Sequence, residues 1–465
     1  PVTITCFCDG CLSDFSKEAG RGFTRDSLAD VFTGGSLGER MAWRRRWLAH
    51  NRGVIDRLFR VIEEAVHKIH PRMPLGFMTG DRFWEGYDFA RWARTLAGPG
   101  KAPVWWRPGG GFYTDERLLD LVDKANAMGR QAAALPSEVM TIQSELENFP
   151  YQRLRKSERT TVVEAAAHMA AGATGTAFNV LTMHPDPLDE YAPLVRRIAG
   201  TRPFFATLQR ELMRTRTEGL WPAWNRDLVI ASNPESNWPL SEPYTLGEIG
   251  IPICYDALGR AATALSRTAP LAFSKEELRE MFRGGVLMDV DAWTSMERLG
   301  LAGWTGVRAV KGYDVDATEV LAKHALNGAH GGWARDCRQS FYKERAYTLE
   351  ASHPGVETLS RIRDYGGHVF GPSMTAFENE LGGRVVIMGY YPWSQVHSLA
   401  KSAQVKSVCG WASRGRLPAV LESYAKVMVW SRRTTHGKRA VVLLNASLDP
   451  ALNVRVRMLA SGTAF

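Results

Sequence analysis

One alternation constrains this chain more than any other feature. From Asn51 to about residue 216, short apolar runs ending in turn residues alternate with longer stretches of helical period. "VIDRLFRVIEEAVHKI" sets Val54, Ile55, Leu58, Val61, Ile62, Ala65, Val66 and Ile69 at helical spacing, which predicts one apolar stripe facing a core. "LGFMTGD" reads as a strand, and "YDFARWARTLA" as a helix stopped by "GPG". "PVWWRPGGG" is a second strand, followed by the helix "DERLLDLVDKANAMG" with acidic residues at its start. "EVMTIQSELEN" is a third strand, and "SERTTVVEAAAHMAAGA" a helix with Ser157 as N-cap. "GTAFNVLTMH" is a fourth strand, with helical stretches after it. A strand and a helix about every 30 residues means βα units on a parallel sheet.

Polar residues gather where each strand ends: Thr79 and Asp81, Trp106 and Arg107, Glu145 and Glu147, Asn179 and His184. In a (β/α)₈ barrel that end carries the chemistry. An open flavodoxin-like sheet is the alternative, but no Gly-rich phosphate loop follows any strand, which argues against nucleotide binding. A closed barrel needs eight units and four are found, the helix from Asn51 having no strand ahead of it. Residues 1–216 therefore read as the second half of a (β/α)₈ TIM barrel.

Composition shifts near "EGLWPAWNRD". Residues 217–316 read as a small α/β domain: "DLVIASNPES" a strand, "CYDALGRAATALSRT" and "SKEELREMF" helices, and "GGVLMDVDAWTSMERLGL" strand, tight turn and helix. Residues 317–465 read as β-rich, with "GRVVIMGYYP", "KRAVVLLNAS" and "NVRVRMLA" as strands and "LPAVLESYAKVMVW" as a helix. The fold class expected is α/β, passing into a C-terminal β-rich region.

At 465 residues and 45% hydrophobic, several packed domains are expected. No apolar run is long enough to span a membrane, and no secretory signal pattern opens the chain. Cys254, Cys337 and Cys409 are scattered singly, which suits free thiols in a reducing, cytoplasmic setting. The net charge is +9, and "WRRRW" at 43–47 is the densest basic run. With no nucleic-acid module beside it, the run reads as a helix with Arg on its wet face and Trp toward a core. No nucleic-acid or membrane partner is expected.

Two stretches carry chemistry. Cys6, Cys8 and Cys11, spaced C-x-C-x-x-C, look like three ligands of a tetrahedral zinc site whose fourth ligand is not local. In "TIQSELENFPY", Glu145 and Glu147 lie two apart at a strand end and so face one side. A retaining glycoside hydrolase needs a nucleophilic carboxylate and a second, protonated one across the scissile bond. Two carboxylates of one strand belong to one side of that bond, so they do not make the pair by themselves.

On these residues the chain resembles the family-42 glycoside hydrolases, β-galactosidases with a trimerisation domain, or a close retaining exo-β-glycosidase relative. "CFCDGCLSDF" resembles the family's cysteine motif, and "SELENFPY" sits where the family places its nucleophile. "GGVLMDVDAWTSMERLGL" resembles the trimerisation domain, and "GRVVIMGYYPW" with "VVLLNASLD" its C-terminal β domain. The nucleophile motif departs from the usual family wording, so galactose specificity is not carried over.

The resemblance implies a carbohydrate substrate, a structural zinc on Cys6, Cys8 and Cys11, no organic cofactor, and a homo-oligomer, possibly a trimer. It also implies that the fourth zinc Cys and the acid/base Glu lie in an N-terminal barrel half, on the same longer polypeptide or a separate chain. Glu145 is the first choice for nucleophile, because the strand pattern ends there, and Glu147 the reserve. Asp81, Trp84, Arg107 and His184, with whichever of Trp105 and Trp106 faces inward, are the candidate sugar contacts. The rival reading is a catalytically inactive carbohydrate-binding or scaffold homologue.

Overall fold

The computed structural model describes residues 6–80, 88–185, 187–231, 242–434 and 436–459. The chain forms two compact units, Pro1–Arg210 with Asn225–Pro239, and Glu211–Trp224 with Leu240–Phe465.

The first unit opens with α1 (Asp9–Ala19), α2 (Arg25–Thr33) and the long α3 (Leu37–His67). Capping boxes Thr24/Ser27 and Ser36/Glu39 start α2 and α3 by satisfying their first free N–H groups. Trp47 is fully buried among Phe15, Phe32 and His50, while Arg45 and Arg46 stay in water, as expected for the "WRRRW" run.

The alternation then proceeds as expected: β1 (Leu75–Thr79), α4 (Phe89–Ala97), β2 (Val104–Pro108), α5 (Leu119–Ala133), β3 (Thr141–Glu147), α6 (Glu158–Ala171), β4 (Gly175–Asn179) and α7 (Ala192–Leu212). The four strands lie in chain order and every neighbouring pair is parallel. Phe77, Trp106, Ile142 and Leu146 are buried on one face, whereas Met78, Trp105 and Gln143 are exposed on the other.

α3 departs from expectation. Of its predicted core stripe, Leu58 is 56% exposed and Val61 64%, with Val54 and Ile62 exposed as well and Ile69 exposed just beyond the helix. The buried face is polar instead. Asp56 accepts a 2.6 Å hydrogen bond from Thr95 of α4 and pairs with Arg91 at 2.9 Å. Glu63 bonds His67 at 2.8 Å. The satisfied Asp56 and the Phe59 ring, edge to face with Trp92 at 5.9 Å, make the contact with α4, and Leu58 and Val61 point outward.

"DLVIASNPES", expected as a strand, instead contains the helical turn α8 (Leu228–Ala231), and its residues from 232 on lie outside the described ones.

The second unit is built on a ten-stranded mixed sheet. Its parallel centre is β5 (Arg216–Pro222), β6 (Arg260–Leu265) and β7 (Gly285–Asp289), joined by a strand from far along the chain, Arg384–Met388. Between them come α9 (Lys275–Arg283) and α10 (Val290–Arg298). The sheet thus takes strands from both sides of the boundary expected at residue 316. The helix expected in "CYDALGRAATALSRT" is strand β6, buried along nearly its whole length. A strand covered on both faces shows no alternation, and its Ala and Leu read equally well as helix. "LPAVLESYAKVMVW", also expected as a helix, supplies strands at Ala419–Leu421 and Val427–Arg433 for the same reason.

A buried charge network lies within this unit. Lys401 reaches Glu319 at 2.9 Å, Arg335 pairs with the same carboxylate, and Ser360 donates to it at 2.6 Å. Burial alone would raise the Glu319 carboxyl, but Arg335 and Lys401 hold it down at about 2. Its contribution to stability is then present above its ordinary value of 4.5 and lost as the pH falls toward about 2. Glu319→Gln should cost about 3–5 kcal/mol at neutral pH, because it strands two buried cations. Urea unfolding of both proteins from pH 7 to pH 3 checks this: the acid-side loss of stability should be shallower in the variant.

Candidate active site

The site begins with a packing requirement. Leu146 is fully buried in a cluster with Ala165 of α6, Val180 and Leu194 of α7. Ile142 and Ser144 share that side, and the Ser144 hydroxyl meets Thr176 Oγ1 at 3.1 Å. With a period of two, Gln143, Glu145 and Glu147 must then emerge on the opposite, exposed face.

Each carboxylate has its own partners. Arg107 of β2 approaches Glu145 Oε1 at 3.0 Å, and its guanidinium also touches Met78 Sδ at 3.1 Å. Gly109 comes close beside them: a Cβ there would lie 3.0 Å from Glu145 Oε2 and 2.6 Å from the Thr79 carbonyl oxygen. Glu147 is held by neutral donors. The Tyr151 hydroxyl and Asn179 Nδ2, the latter at 3.1 Å, both donate to its Oε1, and Asn179 also bonds the Tyr151 oxygen at 2.9 Å. Glu147 Oε2 has no hydrogen-bond partner among the described residues.

Tyr151 is fixed at some cost. Its φ is 65°, a left-handed conformation that costs a bulky residue about 1–2 kcal/mol. Its N–H donates to the Asn148 carbonyl at 2.7 Å, and its carbonyl accepts from the Tyr191 hydroxyl. Burial, with the Glu147 carboxylate beside it, pushes the Tyr151 phenol up to about 12, so it stays a proton donor at ordinary pH.

Of the sequence-predicted contacts, Arg107 joins the carboxylates and Trp105 lies on their face, 48% exposed. Trp106 is corrected: it is 1% exposed and packs against Phe77 and Phe89 on the helix side, because alternation puts it opposite Trp105. His184 is exposed in the segment after β4 and bonds neither carboxylate. Asp81 and Trp84 lie outside the described residues.

Tyr151 and Asn179 had no assigned role in the sequence reading. The available signal was Tyr151 four residues after Glu147 in "ENFPY" and Asn179 at the end of the neighbouring strand.

The sulfurs of Cys6, Cys8 and Cys11 lie within 4.8 Å of one another at the start of α1. The Cys11 backbone N–H, then the two neighbouring cysteines, lower the Cys8 thiol to about 7. Zinc–sulfur bonds of about 2.3 Å in a tetrahedron put sulfurs about 3.8 Å apart, so the trio suits that metal after a small contraction. No fourth His, Cys, Asp or Glu joins the group among the described residues.

No protein-family model matches the chain, and no curated protein matches it in sequence. A solved structure similar to it is alpha-L-fucosidase isoenzyme 2 from Paenibacillus thiaminolyticus, with a TM-score of 0.57 and 13% identity over 98% of this chain and 67% of that one. The likeness is one of fold. Among the described residues no helix is long and apolar enough to cross a membrane.

The two adjacent tryptophans give a direct check of the sheet's sidedness. Trp106→Ala should lose about 3–5 kcal/mol of stability, as for a buried aromatic, and Trp105→Ala under about 1 kcal/mol. Denaturant unfolding of the two variants measures both.

Proposed function

We propose that this chain is part of a retaining exo-β-glycosidase of the β-galactosidase type, with Glu147 as its nucleophile. One observation carries the proposal. Two neutral donors grip a single oxygen of Glu147 and leave the other free, on the exposed face where a parallel strand ends. A carboxylate held this way is oriented without being neutralised, as attack on an anomeric carbon requires. Glu145, first choice on sequence grounds, is instead held in an ion pair with Arg107.

In the first step Glu147 Oε2 bonds to the anomeric carbon while the glycosidic C–O bond breaks, and the leaving oxygen takes a proton from a general acid. In the second, water attacks the same carbon, gives its proton to that acid's conjugate base, and frees Glu147. Glu145 does not serve as the acid. It sits about 6.5–7 Å along the same strand face, on the nucleophile's side of the bond. The acid comes from a further barrel half.

Three features support that missing half. Among the described residues β1 and β4 each have one neighbour in the sheet, the face bearing the carboxylates is exposed, and α3 turns Leu58 and Val61 outward. Four more βα units, from the same polypeptide or a second chain, would cover all three and add a fourth thiolate to a structural zinc on Cys6, Cys8 and Cys11. Trp105 would offer its ring to a sugar face, and Arg107 its N–H groups to hydroxyls. Assembly as a homo-oligomer and a cytoplasmic location belong to the same proposal. Cys254, Cys337 and Cys409, buried free thiols, suit a reducing compartment.

In the complete enzyme Glu147→Gln should cut turnover of an activated β-glycoside by about 10⁴-fold or more. Glu147→Ala with azide should release a glycosyl azide of inverted anomeric configuration. Assaying a panel that includes aryl β-galactosides and aryl α-L-fucosides identifies the sugar. Full activity in Glu147→Gln with loss in Glu145→Gln would move the nucleophile by one pleat. Activity in both would end the retaining mechanism on this strand, and no hydrolysis by the complete protein would favour the inactive scaffold.

The metal is tested separately. Elemental analysis should find about one zinc per chain. Cys8→Ser should lose the metal and lower the melting temperature, without changing the pH profile of hydrolysis.

A further inference from the structure

We propose that the pocket between the loops after β2 and β3 is a saccharide subsite, which takes a second, neutral sugar unit of an oligosaccharide. The inference rests on the glycoside-hydrolase reading and deepens it. The cavity measures about 420 Å³ and is lined by Tyr113, Glu116, Arg117, Asp120, Phe149 and Arg155, among others. That volume suits a small ligand.

Its position ties it to the carboxylates. The loop after β2 starts at Gly109, against Glu145, and the loop after β3 starts immediately beyond Glu147. A chain of rings runs between them. Tyr113 meets Phe149 edge to face at 6.0 Å, and Phe149 meets Tyr151 at 5.9 Å, whose hydroxyl holds Glu147. Phe149 is 55% exposed and presents apolar ring surface in the pocket wall.

The charges of the lining select the class of ligand. Arg155 pairs with Glu116 at 2.9 Å and Arg117 with Asp120 at 3.4 Å. Two cations and two anions sum to zero, so the lining favours neither an anionic nor a cationic ligand. It does offer solvent-facing acceptors and donors beside aromatic faces. A sugar has this dual character, with hydroxyls that both donate and accept and an apolar ring face.

The pocket is built in advance of any ligand. The buried ammonium of Lys156 donates to the Phe112 carbonyl at 2.7 Å and lies 4.5 Å from the Phe112 ring centroid. Glu164 holds Lys156 at 2.5 Å and Lys124 at 2.8 Å. A Cβ on Gly110 would come within 2.8 Å of Lys124, so glycine lets the loop lie down on this network. Asp115 accepts from the Ser157 N–H at 2.9 Å, which links the two loops directly. A wall fixed in this way spends little ordering entropy on binding.

The test uses the complete protein, with Tyr113→Ala and, as a surface change that leaves the core intact, Glu116→Gln. The substrates are a glycosyl fluoride of the accepted terminal sugar, which leaves the pocket empty, and a disaccharide with the same terminal sugar. KM for the disaccharide should rise about tenfold in Tyr113→Ala, with a smaller rise in Glu116→Gln, while hydrolysis of the fluoride stays within about twofold. Equal effects on both substrates, or none on the disaccharide, would overturn the subsite. Disaccharide binding is also read by saturation-transfer NMR. Tyr113-dependent binding by a protein that hydrolyses no glycoside would keep the subsite and sink the enzyme reading. No binding by an active enzyme would sink the subsite alone.

Discussion

The burial of Leu146 organises the first unit around its candidate chemistry. Its side chain fills a cluster beneath α6 and α7, and nothing polar could take its place there without cost. Once Leu146 points down, Glu145 and Glu147 point up. A shift of one residue in register would drive both carboxylates into the helix layer and expose Ile142 and Leu146. Parallel pairing then brings Arg107 beside Glu145 and Asn179 beside Glu147, because their strands run in step with β3. The strained Tyr151 and the buried Lys156–Glu164 pair secure the loop that follows.

Much of this was legible in the sequence where periodicity was clean. The four βα units, the cap at Ser157 and the inward Trp47 follow from spacing alone. The pair Trp105 and Trp106 shows where reading stops: alternation says that one is buried, but only the partner strand says which. α3 shows a deeper limit. Its apolar stripe is plain in the sequence, yet Asp56 and Glu63 take the buried side because Thr95, Arg91 and His67 satisfy them. His67 sits one turn from Glu63 on the same helix, but Thr95, 39 residues from Asp56, and Arg91 belong to α4 and cannot be guessed from a helical wheel.

The second unit failed to read for the opposite reason. "GRAATAL" and "KVMVW" are buried on both faces as strands, so no alternation marks them. The ten-stranded sheet also joins β7 to a strand nearly 100 residues later, a pairing no local pattern announces. The candidate site was more open to reading. The carboxylates are legible from their place at a strand end, while the choice between them turns on Tyr151, which the loop folds back onto Glu147, and on Asn179, which reaches it only when β3 and β4 are set side by side.

The central claim is that Glu147 forms the covalent bond to sugar. Trapping states it most directly. The complete enzyme is incubated with a 2-deoxy-2-fluoro glycoside of the sugar it hydrolyses, digested, and mapped by mass spectrometry. The account predicts one added 2-fluoroglycosyl group on the peptide that contains "SELENFPYQR", fragmenting to Glu147. A label on Glu145, on a residue outside β3, or no covalent adduct from an active enzyme would contradict it.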